Sequence, residues 1–197
     1  KSDLYDYFPK AILEVAQEEG KPIILHLPHS LYNSHEEVHD IATEFPGLDI
    51  VLAHMGVAHI PRENLGSILE SFAQYPNVYA DTSQVHDAEL ISAGITHLGV
   101  DRLLYGSDEP LNLLRAVIYD NPTLGPRILT DYPYHWVDQE EYREHIESIT
   151  TPFIHSEWQQ LQAIFEGMRR AGVVGNSHSE EVKSQIFYEN AARVFHI

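Results

Sequence analysis

The stretch RLLYGSD, residues 102–108, joins a short apolar run to a polar ending. Leu103, Leu104 and Tyr105 form a run too short for a helix, so we interpret it as a buried strand that ends near Asp108. Three earlier runs share this form: PIILHL at 22–27, DIVLAH at 49–54 and NVYAD at 77–81. All are rich in Ile, Val, Leu or Tyr, which favours strand over helix.

Amphipathic segments separate the four runs, because apolar residues recur in each at helical spacing. These residues are Val38, Ile41, Ala42 and Phe45 in the first segment, Leu65, Ile68, Leu69 and Phe72 in the second, and Ala88, Ile91, Ile95 and Leu98 in the third. Alternating strands and helices predict an α/β fold with a parallel sheet and right-handed crossovers. An open doubly wound nucleotide binder should carry a glycine-rich turn after a strand, and the sequence has none.

The residues that end the runs favour a (β/α)8 TIM barrel. His26, His54, Asp81 and Asp108 are separated by 28, 27 and 27 residues, and each could bind a metal or move a proton. Barrel active sites are assembled from residues at the carboxyl ends of several strands. For one strand alone, Asp108 or Glu109 could instead cap a helix that begins at Pro110. Four such endings indicate a shared polar site.

Composition limits the classes of function. The 197 residues fit a single domain, and the formal charge of −18 opposes contact with nucleic acid or anionic membranes. There is no cysteine, which suits a cytoplasmic location and excludes thiolate metal sites. No apolar run approaches the roughly 20 residues of a membrane span. We therefore expect a small-molecule substrate, and the sequence leaves open a homo-oligomer.

The motifs IILHLPH, IVLAHMG, NVYADTS and RLLYGSDEP, in this order and spacing, resemble the later half of the amidohydrolase-2 family. The ending SQIFYENAARVFHI, residues 184–197, is similar to the closing helix of that family. The family belongs to the amidohydrolase superfamily of metal-dependent barrel enzymes. The resemblance implies that this chain covers about strands 5–8 of the barrel and the C-terminal helices.

The resemblance also implies roles for individual residues. His26 and Asp108 correspond to ligands of a divalent metal, expected to be zinc, and His54 to a catalytic histidine. Asp108 would also act in catalysis, by accepting a proton from water that attacks a C–N or C–O bond. We further expect His29, Asp81 and Ser83 to contact substrate, although Ser83 could instead cap the next helix.

Two features leave alternatives open. The family pattern includes a His-x-His pair on the first strand, and these 197 residues contain none. The preceding half-barrel could lie upstream or on another chain, or this could be a metal-free binding or scaffold protein on a degenerate barrel. A metal-dependent decarboxylase of the same family is a further alternative. Residues 111–178 exceed what a last helix needs, and predict a lid over the site, with Tyr132, Tyr134 and Trp136 as lining residues, or a subunit contact.

Overall fold

A computed structural model of the chain describes residues 4–121, 125–134, 139–146, 151–175 and 178–197. The strands are β1 (Ile23–Leu25), β2 (Ile50–Leu52), β3 (Val78–Asp81), β4 (Leu103–Leu104), β5 (Arg115–Asn121), β6 (Gly125–Thr130) and β7 (Ile154–His155). The α-helical segments are α1 (Leu4–Tyr7), α2 (Lys10–Glu18), α3 (Leu31–Glu44), α4 (His54–Val57), α5 (Leu65–Phe72), α6 (Ala88–Ala93), α7 (Gln139–Ile146), α8 (Ser156–Arg170), α9 (Ser179–Ser184) and α10 (Asn190–Phe195). Shorter 3-10 and π-helical turns occupy Gly94–Leu98, Val100–Arg102, Leu111–Leu113 and Gln185–Glu189.

The four predicted strands form one parallel sheet in the order β1-β2-β3-β4. This arrangement confirms the sequence prediction, although each strand is shorter than its apolar run. The side chains of Leu25, Leu52, Ala80 and Leu103 lie in one register row, and all four are fully buried. They pack in the main core with the predicted apolar faces of α3 and α5, so burial of this row fixes the register of the sheet.

The opposite face of the sheet has a thinner cover. Val51 of β2 and Leu104 of β4 pack against Val194 of α10 in a second, smaller cluster. Ile24 of β1 projects to the same face as Val51 and is 54% exposed. The C-terminal helix therefore covers the central and β4 side of this face and leaves the β1 edge open.

Helix α6 begins differently from the prediction. Its N-terminal cap is Asp87, whose carboxylate accepts a hydrogen bond from the N–H of Glu89 at 2.8 Å. The capping alternative for Ser83 is therefore wrong, because the chain between Ser83 and Asp87 is not helical.

The segment after β4 builds a separate layer over the carboxyl ends of the parallel strands. Strands β5, β6 and β7 form an antiparallel sheet in the order β6-β5-β7, and α8 follows directly. Gln160 of α8 ties this layer to the strand ends by donating to the carbonyl of Gly106 at 2.7 Å and to the hydroxyl of Thr82 at 3.2 Å. Within the described ranges, no helix is both long and apolar enough to cross a membrane.

Candidate functional site

A cavity of about 420 Å³ lies between the carboxyl ends of the parallel strands and the added antiparallel layer. Its polar side carries residues that follow β1, β2, β3 and β4, and its apolar side comes from the segment after β4. The lining residues are His26, His54, His59, Gln84, Asp108, Leu111, Leu114, Ala116, Ile128, Thr130 and Ser156. A hollow of similar volume between α5 and α6 contains none of these strand-end residues. The cavity therefore brings together His26, His54 and Asp108, as the sequence predicted.

His54 is placed by an unusual turn. Residues 54–57, the segment α4, all have positive φ angles, from 49° at Met55 to 71° at Gly56. Left-handed backbone costs roughly 1–2 kcal/mol for each residue other than glycine. Such strain persists only where surrounding contacts enforce it, and it is concentrated at functional sites.

Asp81 and Ser83 supply the contacts that hold this turn. The Oδ1 atom of Asp81 accepts hydrogen bonds from the backbone N–H of His54 at 2.8 Å, the backbone N–H of Ser83 at 3.0 Å and the Ser83 hydroxyl at 2.5 Å. The Nδ1 atom of His54 lies 2.9 Å from both the carbonyl oxygen and the hydroxyl of Ser83. A carbonyl can only accept, so Nδ1 carries the proton and Nε2 of a neutral His54 keeps its lone pair.

His26 and Asp108 stand on either side of His54 in chain order. His26 follows β1, is exposed, and its ring centroid lies 5.1 Å from that of His54. Asp108 also has a positive φ, 57°, and is half-buried. Burial raises the pKa of the Asp108 carboxyl, the charge of Asp81 raises it further, and His54 and His26 oppose the shift. A raised pKa makes a carboxylate a better proton acceptor.

No α-helix begins directly after Asp108, in the described stretch up to residue 121. Only a 3-10 turn, Leu111–Leu113, follows, and its contact with Asp108 is a bond from the Leu111 N–H to the Asp108 backbone carbonyl. The interpretation of Asp108 as a helix cap is therefore wrong. The carboxylate faces the cavity instead.

The cavity is also lined by two further polar side chains that follow the parallel strands, His59 and Gln84. His59 is half-buried, and burial lowers its pKa to about 4, with smaller contributions from His54 and His26. Gln84 follows Ser83 directly, is 6% exposed and has a φ of 53°. The NVYADTS motif predicts a polar strand end but gives no signal that the next side chain turns towards the cavity.

Other predicted residues do not line the cavity in the part of the chain that the structure describes. His29 is exposed in the loop after β1. Asp81 and Ser83 are occupied in holding His54, so their contact with substrate stays a prediction. Tyr132 is 61% exposed and packs edge-on against Tyr134, while Trp136 lies outside the described residues. The added layer does border the cavity, through apolar residues between 111 and 128 and through Thr130 and Ser156.

The donor atoms suit a divalent metal in kind but do not complete a site. Imidazole nitrogen and carboxylate oxygen are ordinary ligands of zinc. However, no group of three or more His, Asp or Glu residues stands close enough to hold a metal among the described residues. His26 and Asp108 could therefore provide only part of a coordination shell.

The family comparison agrees with the motifs. A family model described as Amidohydrolase matches residues 1–197. No curated protein matches the chain.

Three solved structures share the fold. An amidohydrolase from Burkholderia multivorans with bound zinc is 12% identical, with a TM-score of 0.57 over 100% of this chain and 61% of that one. A putative 2-pyrone-4,6-dicarboxylic acid hydrolase from Pseudomonas putida is 17% identical, with a TM-score of 0.54 over 100% and 59%. Amidohydrolase 2 from Bifidobacterium longum subsp. infantis is 16% identical, with a TM-score of 0.51 over 95% and 54%.

These identities establish the fold alone. The chain therefore has the α/β fold of part of a (β/α)8 barrel, as predicted. It spans between 54% and 61% of the length of these three structures.

Proposed function

The chain belongs to the amidohydrolase family, and from this premise we propose that it forms part of a metal-dependent hydrolase acting on a C–N or C–O bond of a neutral small molecule. The observation that carries the proposal is the position of His26, His54 and Asp108 on the wall of one cavity at the strand ends. Three polar residues from three separate strand ends meet there, which is where barrel enzymes assemble their active sites.

His26 and Asp108 are the residues that would hold the metal, together with ligands beyond the described group. A bound metal of this kind lowers the pKa of water and polarises a carbonyl oxygen. The exposed position of His26 leaves its ring accessible from the open side of the cavity. Asp108 lines the same cavity, where its Oδ atoms can accept a proton from a water molecule.

His54 is suited to proton transfer. Its Nδ1–H is committed to Ser83, so Nε2 is the atom that remains free to exchange a proton in the cavity. The contact with Ser83 and the carboxylate of Asp81 fixes the ring in one orientation. Holding a catalytic group in place before the reaction avoids the cost of ordering it during the reaction.

The charge of the lining favours a neutral substrate. No Lys or Arg is among the described residues that line the cavity. Arg115 lies next to lining residue Ala116 but pairs with Asp131 at 3.0 Å and donates to the carbonyl of Phe153. A decarboxylase should offer a cation to the carboxylate of its substrate, so this lining supports hydrolysis over that alternative.

The test measures zinc and turnover separately in the complete protein. Asp108→Asn and His26→Ala should each weaken zinc binding at least about 100-fold, measured by calorimetric titration with zinc alone. His29→Ala, an exposed histidine outside the cavity, is the matched control and should bind zinc normally. His54→Ala should retain more zinc than His26→Ala but lose turnover of a panel of neutral lactones, esters and amides. Full turnover in Asp108→Asn would refute the proposal.

A further inference from the structure

Gln84 combines three features that a residue with only a structural role would not need. Its side chain lines the cavity, although the residue is 6% exposed. Its amide nitrogen is buried and has no hydrogen-bond partner. Its backbone is left-handed, with a φ of 53°.

Both the unpaired nitrogen and the backbone disfavour glutamine at this position. A buried N–H group without an acceptor loses its hydration and gains nothing in return. The left-handed backbone strains any residue that has a β-carbon, so glycine would fit this position better than glutamine. A ligand oxygen that accepts a hydrogen bond from the Gln84 amide would compensate for both costs.

The opposite wall indicates what such a ligand carries besides oxygen. Leu111, Leu114, Ala116 and Ile128 form an apolar surface on the side of the added layer, and Thr130 and Ser156 are the polar residues of the same layer that line the cavity. Ala116 is 1% exposed and lies in β5, which pairs with β6, so part of this wall stands on a hydrogen-bonded sheet. Apolar walls with a few placed polar groups are typical of small-molecule sites.

We propose that Gln84 is a substrate-binding residue that donates a hydrogen bond to the carbonyl oxygen of a neutral compound whose apolar body packs against Leu114 and Ile128. This inference rests on the proposed function, because it names the substrate class of the same site. Gln84 selects for the carbonyl group, and the apolar wall selects for the hydrocarbon part of the molecule.

The test uses two probes of nearly equal shape, cyclohexanone and methylenecyclohexane, titrated into the complete protein and followed by NMR. Gln84→Met keeps the length of the side chain and removes both amide atoms. It should weaken binding of cyclohexanone roughly threefold to tenfold and leave methylenecyclohexane unchanged. Ile128→Ala is the matched variant of the other wall and should weaken both probes by equal factors.

Thermal unfolding gives a second readout. Because Gln84→Met removes a buried nitrogen that has no partner, it should raise Tm by about 2–4 °C. A lower Tm, or equal effects of Gln84→Met on the two probes, would overturn the proposal, as would failure of both probes to bind. Neither probe is hydrolysed, so absence of turnover on the ester and amide panel would refute the proposed hydrolase and leave these binding results standing.

Discussion

Replacement of Asp81 tests whether this carboxylate holds the turn that carries His54. Asp81→Ala removes the acceptor of three hydrogen bonds, two of them from backbone N–H groups of His54 and Ser83. A hydrogen bond to a charged group contributes about 1.5–3 kcal/mol, and water can replace part of this at a half-buried site. We therefore expect the free energy of unfolding to fall by about 3 kcal/mol.

Two further variants separate the hydrogen bonds from the charge. Asp81→Asn keeps an Oδ1 acceptor, so its loss should be about 1 kcal/mol. Asp40→Ala removes an exposed carboxylate from α3 and should change the free energy of unfolding by less than about 0.5 kcal/mol. Urea unfolding followed by circular dichroism measures all three variants. If Asp81→Ala were as stable as Asp40→Ala, Asp81 would not be the residue that enforces the left-handed turn.

Two other predictions concern stability. Burial, with a smaller contribution from His59, lowers the pKa of His86 to about 4, so this histidine stabilises the fold above pH 6.5 and the stabilisation is lost as pH falls towards 4. Between pH 7.5 and pH 5 this group should lower the free energy of unfolding by about 2 kcal/mol. His86→Leu should abolish that contribution when urea unfolding is measured at the two pH values, and an unchanged pH dependence in the variant would contradict the prediction. Gly167→Ala would place a Cβ 2.5 Å from the Cβ of Ile91, so we expect a net loss of about 1–2 kcal/mol despite the better helix propensity of alanine. The double variant with Ile91→Gly, which removes the clashing Cβ, should lose less than the sum of the two single changes, and additivity of the two losses would show that no such clash exists.

The fold could be predicted because burial depends on the type and spacing of residues along the chain. An apolar run as short as DIVLAH is too short for a helix and therefore favours a buried strand. The segment with Leu65, Ile68, Leu69 and Phe72 buries one face of a helix. Four repeats of strand and helix leave few topologies once crossovers are right-handed. The parallel order β1-β2-β3-β4 follows from these constraints.

The cavity wall from the added layer could not be predicted in the same way. Aromatic residues at 132–136 predict a lid, whereas the apolar residues that border the cavity in the described part of the chain include Leu114, Ala116 and Ile128. Their position depends on pairing within the antiparallel sheet and on α8. Gln160 of α8 contacts Gly106 and Thr82, which precede it by 54 and 78 residues along the chain. Contacts at such separations leave no local pattern in the sequence.

The sequence by itself determined which chemical groups end the strands, since His26, His54, Asp81 and Asp108 can be read directly from the motifs. Only the tertiary structure decided their use. The strands end at Leu25, Leu52, Asp81 and Leu104. The four groups therefore do not occupy the same position relative to the ends of their strands. The side chains of His54 and Asp108 reach the cavity from left-handed turns of the backbone. Asp81 instead accepts a hydrogen bond from the backbone N–H of His54 and so holds the first of these turns. A spacing of 27 or 28 residues fixes the strand on which a residue lies, whereas the backbone after the strand fixes where its side chain goes.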